Sequence, residues 1–123
     1  MELHVIFRMP KFPVIIGRGD GLFSANSPQS LVNVVAMKIQ GVEDERIVFI
    51  DSTGEEFVYY DDSKSLMPSM MRKQWTKKKL IELYNSSINA GISNTAYSEK
   101  SLSAKIYQRI FNDIVHLIRK NHP

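Results

Sequence analysis

Two β-rich runs, Arg46 to Asp51 and Glu56 to Tyr60, flank the short glycine-bearing turn Ser52-Thr53-Gly54, and the pattern predicts a hairpin. Ile47, Phe49, Phe57 and Tyr59 alternate with Val48, Ile50, Val58 and Tyr60, so both faces of the pair are apolar. Such strands belong at the centre of a sheet or under cover on both sides. Further along, the period changes. Leu102, Ile106, Ile110, Ile114, Leu117 and Ile118 repeat at helical spacing over about twenty residues, the pattern of an amphipathic helix.

The remaining elements follow from local chemistry. Leu3 to Phe7 reads as a strand stopped by Pro10, which has no N–H for a ladder, and Val14-Ile15-Ile16 as a short edge strand or a continuation past a kink. Three glycines in Gly17 to Gly21 predict an irregular loop. Ser27-Pro28 is a helix start, and Leu31, Val34, Val35 and Ile39 sit at helical spacing, although Leu31, Val35, Met37 and Ile39 also suit a buried strand. Residues 61–75 read as a loop broken by Pro68. Thr76 then caps a helix, with Trp75 and Leu80 spaced as a hydrophobic staple, a stripe of Leu80, Ile81, Tyr84 and Ile88, and an end at Asn89 to Gly91. Ser98 and Tyr97 repeat the device ahead of Leu102.

The order β-β-α-β-β-α-α lacks a regular βαβ alternation. The expected fold is a single α+β domain over residues 1–123: a mixed or mainly antiparallel sheet of about four strands with three helices mainly on one face. A chain of 123 residues with 43% hydrophobic and 24% charged residues can bury such a core unaided, which excludes disorder and a disulfide scaffold. The absence of cysteine removes thiolate nucleophiles and cysteine-ligated metals. Met1 to Phe7 lacks the basic start and apolar run of a signal peptide, so the expectation is a soluble cytoplasmic protein.

Charge is distributed in blocks. Residues 43–62 carry eight acids against Arg46 alone, whereas residues 63–79 carry six bases and no acid, so the net +3 is what two opposed patches leave over. Lys77, Lys78 and Lys79 occupy the first three positions of the helix after Thr76, at the positive end of its dipole, where cations are unfavourable. Together with Arg72 and Lys73 they suit an anionic partner; alternatively, the acids of the hairpin neutralise them within the fold. Asp51, Glu55 and Glu56 around the turn, and Asp61 and Asp62 beyond it, read as solubilising acids or as a face for a basic partner. Met67, Met70 and Met71 beside Pro68 either fill space under the loop or form an adaptable contact surface.

Catalytic signatures are missing. His4, His116 and His122 have no metal-motif spacing, the glycine loop is neither a P-loop nor GxGxxG, and no nucleophile elbow occurs. Arg18-Gly19-Asp20 is a tripeptide of the kind that recurs by chance. No cofactor and no metal site are expected, and the chain reads as non-enzymatic. A small, cysteine-free α+β chain with opposed charge patches resembles, at the level of class, bacterial immunity and antitoxin proteins. That resemblance implies a module that covers a toxin through a charged surface built from Asp51, Glu55, Glu56, Asp61, Asp62, Met67, Met70, Met71, Arg72, Lys73, Lys77, Lys78 and Lys79. The alternative partner is nucleic acid, bound by the basic block 72–79 with Trp75 stacking on a base. A further alternative is a small metal-dependent hydrolase or nuclease using the hairpin carboxylates.

Overall fold

The computed structural model describes residues 1–42, 46–69, 74–93 and 106–120. Six strands form one sheet: β1 (His4–Val5), β2 (Val14–Arg18), β3 (Gly21–Ala25), β4 (Ile47–Ile50), β5 (Glu56–Tyr60) and β6 (Ser65–Pro68), in the spatial order β1-β6-β5-β4-β2-β3. All neighbours are antiparallel except β1 with β6. The helices among the described residues are α1 (Pro28–Val34), α2 (Lys77–Asn85), α3 (Ile88–Ser93) and α4 (Tyr107–Lys120). This is a small α+β domain with a mixed sheet, larger than the four strands and three helices expected. None of these helices is long and apolar enough to cross a membrane.

The sheet is covered on both faces. Strand side chains alternate, so Val14, Ile16, Phe23, Phe49, Phe57 and Leu66 face α1 and the π-helical turn Val35–Ile39 that continues it. Ile15, Leu22, Val48 and Ile50 face α2, α3 and α4. Burial from both sides accounts for the unbroken apolar run Val14-Ile15-Ile16, which is fully buried between β3 and β4 and not an edge strand. It also corrects the placement of the helices: three pack on one face and α1 on the other.

Several elements depart from expectation for identifiable reasons. The stretch from Gly17 to Gly21 is no irregular loop. Arg18 pairs with Gly21 across a two-residue hairpin, with Gly19 at φ 58° supplying the left-handed turn position. Ser65 to Pro68, expected as loop, forms an inner strand. It tolerates Pro68 because β1 pairs only with Ser65 and Leu66, so no ladder N–H is needed at that point. The ambiguous 28–39 segment is helical: Ser27 caps the amide of Ser30, Ser30 returns a bond to the Ser27 amide, and Pro28 begins the helix. Leu31, Val35 and Ile39 make its buried stripe, and Met37 points to solvent, as the strand alternative would not allow.

α2 begins as expected, with Thr76 accepting from the Lys79 amide at 3.2 Å and Trp75 packed on the cluster that holds Leu80. It stops at Asn85, not at Asn89 to Gly91, which belong to α3, and Ile88 is exposed. In α4 the buried positions are Ile110, Phe111, Ile114, Val115 and Ile118; Ile106 precedes the helix and is 72% exposed. Tyr97, Ser98 and Leu102 lie outside the described residues.

Candidate functional site

The turn between β4 and β5 is built around one carboxylate. Asp51 is 2% exposed, and its oxygens accept from the amides of Lys11, Thr53 and Glu55 at 3.1, 2.9 and 3.1 Å and from the Thr53 hydroxyl at 2.6 Å. Gly54 closes the turn at φ 88°. A methyl group there would come within 2.8 Å of Gln74 Nε2 and 3.1 Å of the Trp75 carbonyl oxygen. These close neighbours are the strand-like segment before α2. Glu55 bridges to Gln74, the Trp75 amide donates to the Gly54 carbonyl at 2.8 Å, and the Gln74 side chain donates to the Thr53 carbonyl.

This junction brings the end of the acidic hairpin to the start of the basic helix. The Trp75 indole N–H donates to Glu56 at 3.1 Å, so the one tryptophan is half-buried and pinned to the hairpin. Beside it lies an open groove of about 500 Å³. The β2–β3 turn supplies Asp20, the chain before β4 supplies Arg46, β5 supplies Glu56, and α2 supplies Lys79, Glu82 and Leu83, with Trp75 and Leu22 on the apolar part of the wall. Charges of both signs therefore surround an apolar patch.

The other expected site residues fall elsewhere. Asp51 is an internal organiser of the turn and presents no surface. Glu55 forms an ion pair with Arg8 through two guanidinium nitrogens, Nε donating to Oε1 at 3.0 Å and Nη2 donating to Oε2. Asp61, Asp62 and Met67 stand at the opposite end of β5, around a second depression of about 630 Å³ that also holds Tyr59 and Tyr60. There Asp61 accepts from the Gly41 amide at 3.2 Å, the Tyr59 hydroxyl at 3.1 Å and Lys64 at 3.3 Å. These donors, the Gly41 amide first, hold Asp61 below the usual carboxylate range, while burial and the Asp61 hydrogen bond and charge push Tyr59 up to about 12. The expected contiguous rim is thus split between the two ends of β5. Lys77 is half-buried, Lys78 and Lys79 are exposed, and neither of the latter pairs with a hairpin acid among the described residues. Met70, Met71, Arg72 and Lys73 lie outside the described residues.

Sequence reasoning missed Arg46, Glu82 and Leu83 as partners of this groove, because none carries a local signal. Their association follows from how β4, β5 and α2 meet. Among the described residues no group of three or more His, Asp or Glu side chains is arranged as metal ligands. Compared with protein-family models, curated proteins and solved structures, the chain matches none.

Proposed function

We propose that this chain is a protein-binding module and that its contact surface is the groove beside Trp75, between the β2–β3 turn, the β4–β5 hairpin and α2. The observation that carries this reading is the mixed lining: Asp20, Glu56 and Glu82 against Arg46 and Lys79, around the half-buried Trp75 and Leu83. An apolar centre with a rim of both signs is the anatomy of a protein interface. A phosphate backbone favours a lining of one sign, and three carboxylates in the groove oppose it. Trp75 is a fixed part of that wall: Glu56 holds its indole N–H and the inner side of its half-buried ring packs on the core, so it is not free to swing out and stack on a base. A toxin-blocking module of the immunity or antitoxin kind is the form of this function that the class-level resemblance suggests.

The test is capture with purified wild-type protein and with Leu83→Asp and Lys79→Glu variants, before and after nuclease treatment. A partner that is a protein, survives nuclease and is lost with either variant is the expected result. Retention of nucleic acid alone, abolished by nuclease, contradicts it and favours the basic block as a polyanion contact.

A further inference from the structure

At the end of β5 away from Trp75, the second depression holds two carboxylates that are neighbours in sequence but differ in how they are used. Asp61 is taken up by the fold, since the Gly41 amide, the Tyr59 hydroxyl and Lys64 all donate to it. Asp62 is exposed and makes no hydrogen bond or ion pair among the described residues. No lysine or arginine lines this depression, whereas Arg46 and Lys79 stand among the acids of the Trp75 groove. Lys64, two residues beyond Asp62, is already held by Asp61.

What surrounds Asp62 suits more than a bare counter-ion. Tyr59 and Tyr60 line the same depression, and Tyr60 is 46% exposed although Phe57 on the same strand is buried. Ile6, Val42 and Met67 add an apolar wall. A cationic head on an aliphatic stem matches such a lining, with the stem along the apolar side chains and the head at the carboxylate and the aromatic rings. A divalent metal does not match it, because it needs several oxygen ligands and no group of three or more acids or histidines is gathered for one among the described residues. The sequence adds a second reason for a basic visitor. Val42 and Asp62 bracket the acidic run 43–62, and the bond from the Gly41 amide to Asp61 sets both on this one depression.

We infer that this depression receives a lysine or arginine side chain presented by a partner protein, at a contact surface separate from the groove beside Trp75. The depression is open, so the side chain enters while the backbone that carries it stays outside. Asp62 supplies the charge, Tyr60 a ring for the cation, and Met67 and Val42 the surface for the stem.

Titration of the isotope-labelled protein with the capped tripeptide acetyl-Ala-Lys-Ala-amide, followed through backbone amide shifts, tests this against the same peptide carrying norleucine. The lysine peptide is expected to move the Tyr60, Asp62 and Ser63 amides saturably, and the uncharged norleucine peptide to leave them in place. Asp62→Asn is expected to weaken binding at least about threefold and Tyr60→Leu at least about twofold, with the rest of each spectrum kept, since both side chains are exposed at the end of the sheet. Glu82→Gln, in the groove, is expected to change nothing at these amides. Shifts that the norleucine peptide reproduces, that survive Asp62→Asn undiminished or that vanish with Glu82→Gln overturn the inference, as does a lysine peptide that leaves the three amides unmoved at millimolar concentration.

Discussion

At the scale of single residues, the acids of the hairpin differ in what they do despite their closeness in sequence. Asp51 satisfies four donors from a buried position, so Asp51→Asn keeps the shape and turns an amide NH₂ towards groups that already donate. A loss of about 2–3 kcal/mol in urea unfolding is expected, with faster exchange of the Lys11 and Thr53 amides. Glu55→Gln removes only an exposed ion pair and is expected to cost less than about 1 kcal/mol in the same measurement. Tyr59 sets an alkaline limit. Its folded pKa of about 12 stands above the ordinary 10.0, so the unfolded chain loses that proton first. The stabilisation is complete below pH 10 and fades as pH rises towards 12. Unfolding midpoints are expected to fall across that window, and to fall less in Tyr59→Phe. Tyr107, which burial and the charge of Asp51 also raise, adds to this dependence.

At the scale of elements, local chemistry and tertiary context divide the fold between them. The β4–β5 hairpin, the Ser27 cap and the Thr76 cap with Trp75 before it were legible because each is complete within about fifteen residues of sequence. β3 and β6 were not. Leu22 to Ala25 is short and interrupted by Ser24, and Ser65 to Pro68 carries a proline, so both become strands only because a partner strand is already in place. The helix ends misread at Ile88 and Ile106 have the same cause, since an apolar residue at the right spacing need not find a layer to pack on. α3 owes its position to Asn89, whose side chain substitutes for a strand beside β3. Asn89→Leu keeps the volume and leaves the Leu22 amide and carbonyl without partners. A loss of about 3 kcal/mol is expected, and exchange at Leu22 is expected to rise well above that at neighbouring Phe23.

At the scale of the whole molecule, the opposed charge blocks meet in different ways: Lys64 pairs with Asp61, whereas Lys78 and Lys79 pair with no hairpin acid among the described residues. The hairpin meets the start of α2 through backbone bonds and the Glu56–Trp75 contact, while Lys78 and Lys79 stay exposed and Glu55 turns to Arg8. The sequence showed both blocks but not this junction. Glu56 and Trp75 are 19 residues apart, and only the pairing of Glu55 with Gln74 sets them side by side. What results is a groove with charges of both signs and an apolar wall, and the central claim is that a protein occupies it. The most direct measurement places a photoreactive amino acid at Glu82, an exposed helix position on the groove wall, and identifies what it captures in cells. A discrete protein adduct that resists nuclease and disappears when Leu83→Asp is added is the expected result; an adduct to nucleic acid, or a protein adduct indifferent to Leu83→Asp, would contradict it.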